Sequence, residues 1–191
     1  GNHGVINGNV TYVDGPVGKA AKFSGVNSHG GGQNPDHILV RNSDSLKMTN
    51  AMTVSYWVKF NSTNSQTWAD CSGRVVNETS GLVLAKSGDR TGFYFSEGDL
   101  SSTFGIVPYS GGQGISSGTT RLQSALSQYR HIAYTVNGNN VSLYVNGQLL
   151  TQGTGNVNFT SANTQNIYIG TMHSQGYACL NYWGQLDGSV D

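Results

Sequence analysis

Residues 131–150, HIAYTVNGNNVSLYVNGQLL, constrain the fold more than any other stretch of the chain. Ile132, Tyr134 and Val136 alternate with shorter or more polar residues, and Val141, Leu143 and Val145 alternate with Ser142 and Tyr144. Such alternation puts one face of an extended chain on a core and the other toward solvent. Asn137-Gly138-Asn139-Asn140 separates the two runs, and Asn146-Gly147 follows them. Asn-Gly supplies the positive φ angles that a tight hairpin requires, so the stretch predicts an antiparallel meander.

The pattern recurs. Strand signals fall at 20–23, 37–41, 52–60, 81–85, 92–95, 103–107, 129–136, 141–145 and 166–170. Met52, Val54, Tyr56 and Val58 alternate with Thr53, Ser55, Trp57 and Lys59, giving one apolar and one mixed face. Beyond the short piece at 122–126, no segment carries a helical stripe. Many short strands without helices predict an all-β antiparallel sandwich or jelly roll. No repeat or linker interrupts the pattern, so residues 1–191 read as a single domain. Irregular sequence gathers at 25–35, 61–80, 109–120 and 171–181, and loops held by a rigid scaffold are where a binding site is first sought.

Composition narrows the class of partner. Only 10% of residues are charged, with ten Lys+Arg against ten Asp+Glu, so no basic field points to nucleic acid. Polarity comes instead from Asn, Ser, Thr, Gln and 27 glycines, which suits a turn-rich secreted or surface protein. No apolar run is long enough to cross a bilayer, so membrane insertion is not expected. Cys71 and Cys179 stand in loop-like contexts, where a disulfide would stabilise by about 4–5 kcal/mol and two free thiols are the alternative. Neither has the close Cys or His that a zinc site needs. Asn-x-Ser/Thr sequons start at Asn9, Asn61, Asn77, Asn140 and Asn158, a number that chance supplies in so Asn- and Ser-rich a chain.

Several phrases, in order, resemble a known family. GNHGVINGNVTYVDGPVGKAAKFSG, DHILV, MTVSYWVKF, HIAYTVNGNNVSLYVNGQLL, IYIG and GQLDGSVD are similar to successive motifs of the laminin G-like jelly-roll domains in the concanavalin A-like lectin/glucanase group. The resemblance covers nearly the whole chain and implies a concanavalin A-like β-sandwich. It departs at both ends: family members usually have a further strand before the first motif and another after the last. It therefore implies that terminal strands come from a longer parent protein, or from a neighbouring chain or domain.

Catalysis is not expected. Relatives of this fold that hydrolyse glucans carry clustered carboxylates on one strand. Here the glutamates are Glu78 and Glu97, and Glu97-Gly98-Asp99 reads as a turn. Gly114-Ile115-Ser116-Ser117-Gly118 fits G-x-S-x-G only formally, because a nucleophile elbow needs a strand before the serine and a helix after it. The resemblance implies calcium in many members, which points to Asp36, with Asn34 and Asn27 as amide ligands; the alternative is turn chemistry at Asn34-Pro35-Asp36. Asp187 and Asp191 are further metal candidates, although Asp187-Gly188 reads equally well as a turn. His131 opens a strand and reads as structural.

Sugars stack on exposed rings while amides and carboxylates orient their hydroxyls. Trp68, Tyr109 and Tyr177 lie in the irregular stretches and are the candidate ligand-binding aromatics, with Asp70 beside them and Asn181 and Tyr182 as weaker candidates. Trp57 and Trp183 sit in family core motifs, where packing is expected. The sequence thus reads as a non-catalytic, extracellular, lectin-like module for a glycan or glycosylated partner, with calcium as a candidate cofactor. The alternative is a structural or interaction domain of an adhesin, fibre or filament, and a glycan-degrading enzyme comes third.

Overall fold

A computed structural model describes residues 1–25, 35–61, 66–69, 75–78, 80–88, 91–98, 101–107, 114–116, 126, 128–154, 159–177 and 180–191. The strands, in chain order, begin with β1 (Gly4–Asn7), β2 (Thr11–Gly15), β3 (Gly18–Ser24), β4 (His37–Val40), β5 (Ala51–Phe60) and β6 (Gln66–Ala69). Next come β7 (Val75–Glu78), β8 (Ser80–Gly88), β9 (Thr91–Gly98), β10 (Ser101–Val107), β11 (Gly114–Ser116) and β12 (Arg130–Asn137). The last six are β13 (Asn140–Val145), β14 (Gln148–Thr154), β15 (Ile167–Ile169), β16 (Met172–Tyr177), β17 (Leu180–Trp183) and β18 (Asp187–Val190), with one helical turn, α1 (Phe159–Ala162), before β15.

Two seven-stranded antiparallel sheets form the sandwich. One runs β1-β4-β15-β8-β9-β10-β11 and the other β14-β13-β12-β5-β18-β3-β2. Every strand expected from the alternation is present. The meander is built as its sequence predicts: Ile132, Tyr134, Val136, Val141 and Leu143 are buried between the sheets, and their neighbours face outward. Asn146 (φ 49°) and Gly147 (φ 80°) both adopt the positive φ of a type I′ turn. Asn146 also ties the turn to β12, its N–H donating to the His131 carbonyl at 2.9 Å and its Oδ1 accepting the His131 N–H at 3.0 Å.

The core is aromatic at its centre. Phe95 lies 4.8 Å from Tyr134, 5.8 Å from Phe93 and 6.5 Å from Tyr56, measured between ring centroids. Phe23, Val58, Phe60, Val83 and Leu186 close around them. Lys86 is buried at the end of β8, its Nζ donating to Asn42 Oδ1 at 2.9 Å and to the Gln165 carbonyl at 2.8 Å. Burial pushes this amine below its ordinary pKa.

Three irregular stretches turn out to hold strands, among them 109–120, which contains β11. The span 61–80 contains the hairpin β6–β7, and 171–181 contains most of β16–β17, each a separate two-stranded sheet. Asp187 and Gly188, read as a turn, begin strand β18. Ser116 lies within the edge strand β11 rather than on a turn that follows a strand.

Candidate binding face

The outer faces of the two sheets differ. On the first, β16 packs beside β8, and Leu82, Ala85, Tyr94 and Met172 form a small second core there. The buried rings of His37 and Tyr168 lie 5.8 Å apart, and Tyr168 stacks on His173 at 5.3 Å with only 13° between the planes. This part of the first sheet is covered by its own chain.

Among the described residues, no element covers the middle of the second sheet. On β5 the buried residues are Tyr56, Val58 and Phe60, so Trp57 and Lys59 face outward, followed by Asn61. On β3 Ala21 and Phe23 are buried, leaving Lys22 and Ser24 outside. Strand β18 fits between them: Ser189 is the register partner of both Lys22 and Lys59, and Asp187 stands opposite Ser24. The Asp187 carbonyl accepts the Asn61 N–H at 3.1 Å, which extends the row to β5. Lys22, Ser24, Lys59, Phe60, Asn61 and Asp187 line an open cleft of about 570 Å³.

The cleft offers both senses of hydrogen bond. Asn61 Nδ2 donates to Asp187 Oδ1 at 2.9 Å and to the Phe23 carbonyl at 3.4 Å, which fixes the amide. Neither Lys22 nor Lys59 has a carboxylate within ion-pair distance among the described residues. Lys59 instead holds its Nζ 4.8 Å above the centre of the Tyr129 ring. The Tyr129 hydroxyl donates to the Asp14 carbonyl at 3.3 Å and is hydrogen-bonded to Ser189; burial, with the charges of Asp191 and Asp14, raises its pKa and keeps it a phenol. One step along β5, Trp57 packs against His131 with ring centres 4.9 Å apart. Trp57 is therefore a half-buried residue of the outer face, not the core residue its motif suggested.

Asp36 lies just behind the cleft and is 8% exposed. Its Oδ1 accepts the Asn9 N–H at 2.6 Å, and its Oδ2 accepts the Ser24 hydroxyl and, at 3.4 Å, the Ser24 N–H. Both oxygens face protein donors, which compete with a cation for the same lone pairs. No three His, Cys, Asp or Glu side chains come together as a metal group among the described residues. Calcium needs six to eight oxygens. Asn27 and Asn34, the amide ligands expected beside Asp36, lie outside the described residues.

Residues 30–189 match the family Laminin_G_3 of the concanavalin A-like lectin/glucanases superfamily. The chain belongs to this family. No curated protein sequence matches this laminin G-like domain. Among solved structures it is similar to domain 4 of an extracellular arabinanase from Geobacillus stearothermophilus in complex with arabinotriose, with a TM-score of 0.62, 18% identity, and 98% of this chain covering 79% of that one. It is also similar to the binding domain of Paraclostridial mosquitocidal protein 1, with a TM-score of 0.62, 16% identity, and 99% of this chain covering 42% of that one. A third likeness is to botulinum neurotoxin type C, whose cell entry depends on interaction with two ganglioside molecules (TM-score 0.61, 12% identity, 99% of this chain and 40% of that one). The domain thus spans about two fifths of the toxin chains. At these identities the likeness is one of fold.

Two of the predicted ligand-binding residues lie on strands of this laminin G-like domain. Trp68 is on β6, in register with Val76 of β7, and Tyr177 is on β16, in register with Leu180 of β17. Tyr109, Asp70, Cys71 and Cys179 lie outside the described residues. The sequence did not mark the cleft residues Lys22, Lys59 and Asn61 as site residues, because each is an ordinary polar residue on or just after the outer side of an alternating strand.

Proposed function

We propose that this domain is a non-catalytic, secreted or surface-displayed module that binds a carbohydrate in the cleft over β3, β18 and β5. The observation that carries the reading is the mixed lining: ammonium donors on Lys22 and Lys59, the fixed amide of Asn61 and the carboxylate of Asp187, beside the rings of Tyr129 and Trp57. Sugar hydroxyls donate and accept at once, and sugar C–H faces pack on rings, so a site for them needs both kinds of group. Glycosidases use a pair of carboxyl groups flanking the bond. Asp187 is the one carboxylate in this lining, and Asn61 already engages it. The fold likeness to an arabinanase domain in complex with arabinotriose agrees with this reading.

The test is titration of a polysaccharide panel against the wild type, Asn61→Ala, Lys59→Gln, Trp68→Ala and Tyr177→Ala. The expected result is a ligand whose affinity falls about tenfold or more in the first two variants, the loss of one or two good polar contacts. Binding that survives those two but disappears with Trp68→Ala or Tyr177→Ala moves the site to the hairpins β6–β7 and β16–β17. No binding to any member removes the proposal for that panel.

A second reading, an interaction domain completed by an added strand, is favoured by one feature of β5. Strand β18 pairs with β5 only at Val58–Phe60, and Asp191 adds bonds to Trp57, so residues 51–55 extend past it. The apolar side chains of Ile6, Tyr12 and Val17 are exposed. An open strand edge takes another strand through its backbone N–H and C=O groups.

A further inference from the structure

We infer that the sugar held in this cleft is acidic, carrying a carboxylate or sulfate group that binds between Lys22 and Lys59; the inference rests on the carbohydrate reading above. The two lysines are the register partners of Ser189 on either side of β18, and both line the cleft. Two strand spacings put their Cα atoms about 10 Å apart, and each ammonium rides on a long flexible stem, so both can close on one anion. The Tyr129 hydroxyl, bonded to Ser189 and to the Asp14 carbonyl, fixes the Tyr129 ring at the lysine row. That ring in turn holds Lys59 Nζ 4.8 Å from its centre, so one of the two charges is placed before a ligand arrives.

The charges around the cleft are unevenly matched. Each described carboxylate there is engaged by donors of the chain itself: Asp14 by the Lys19 ammonium, Asp36 by the Asn9 N–H and the Ser24 hydroxyl, Asp187 by Asn61 Nδ2, and Asp191 by the Val17 N–H at 2.7 Å. Lys22 and Lys59 have no carboxylate at ion-pair distance among the described residues. Two lysines against Asp187 leave the lining with a net positive charge, which suits an anionic group on the sugar. Asp187 also sets the direction. It stands opposite Ser24, two residues along β18 from Ser189, and so about 7 Å from the lysine row. A carboxylate there repels an anion and accepts from hydroxyls. The acidic group therefore lies toward Tyr129, and the neutral hydroxyls lie toward Asn61 and Asp187.

The experiment titrates trisaccharides of galacturonic, glucuronic and mannuronic acid, their methyl esters, and sulfated and unmodified galactotriose, with polyglutamate as a polyanion that is not a sugar. The proteins are the wild type, Lys22→Gln, Lys59→Gln, Lys59→Arg, Asn61→Ala and Asp187→Asn. Expected is an acidic trisaccharide bound about tenfold or more tighter than its uncharged counterpart, a preference that shrinks as salt is raised. Whether a uronate or the sulfated sugar shows it identifies the anionic group. Lys22→Gln and Lys59→Gln should each remove most of the preference, and Lys59→Arg should keep it. Asp187→Asn retains an acceptor for Asn61 but removes the like charge, so it should tighten the acidic sugar about two- to threefold and not the uncharged one. Equal affinities for charged and uncharged forms, lowered alike by Asn61→Ala, overturn the acidic preference and leave the carbohydrate reading standing. Polyglutamate binding as tightly as the acidic trisaccharides reduces the lysine pair to general charge attraction and overturns the inference too. Absence of all saccharide binding, or binding insensitive to Asn61→Ala and Lys59→Gln, overturns both.

Discussion

Asp36 accepts the backbone N–H of Asn9 at 2.6 Å, joining residues 27 positions apart. Through its other oxygen it holds Ser24, so one buried carboxylate fastens the β1–β2 connection, the end of β3 and the approach to β4. Gly8, at φ +79°, brings its Cα so close that a Cβ there would lie 2.3 Å from Asp36 Oδ1.

Asp36→Ala should therefore lower stability by about 1–3 kcal/mol, because it leaves buried donors without an acceptor. Urea denaturation measures it. The loss should be the same in calcium and in chelator. A loss seen only in calcium would make Asp36 a metal ligand and not merely an internal acceptor.

His37 gives a pH dependence. Burial lowers its pKa below 6.5, and this outweighs the raising effects of the Pro35 carbonyl, bonded to Nδ1 at 2.7 Å, and of the Asp36 charge. The folded protein then binds fewer protons than the unfolded chain just below pH 6.5, so stability rises with pH through that window. Acidification from neutral pH should destabilise the domain, and His37→Gln should flatten that part of the curve. A stability profile in which the wild type and His37→Gln keep the same slope excludes His37 as its source.

Asn146→Ala should cost about 1–2 kcal/mol. The substitution removes the acceptor for the His131 N–H and places a side chain that resists positive φ at the first turn position. Asn146→Gly should recover the part due to φ alone. If alanine and glycine are equally destabilising, the hydrogen bond accounts for the whole effect.

Among the described residues, 51–55 of β5 have no strand partner on the β18 side, which predicts an alternating exchange pattern. Trp57 turns its N–H and C=O toward Asp191, so residues two and four places earlier, Ser55 and Thr53, turn theirs to the same side. Val54 and Tyr56 face β12, with Tyr134 and Ile132 as register partners. Amide exchange at Ser55 and Thr53 should be orders of magnitude faster than at Val54 and Tyr56. Equal protection would mean that another segment already covers this edge, and protection that appears on adding a partner would locate strand addition there.

The sequence by itself determined the strands and their facing. Alternation at Ile132–Val136 and Val141–Leu143, with Asn-Gly between and after, is local information, and the sandwich it predicts is present. The hairpins β6–β7 and β16–β17 escaped because glycine-rich or polar stretches carry no apolar alternation, and β16–β17 also slips register between His173 and Tyr177. Alternation placed Trp57 opposite the core but could not say whether another element covers that side. That depends on the order β12-β5-β18-β3, which sets residues 22, 59, 129 and 189 side by side. Strand pairing brings together residues far apart in the chain, and no local pattern encodes which pairs will meet. The cleft proposed as the site rests on that strand order, whereas Trp68, Tyr109 and Tyr177 rested on local sequence.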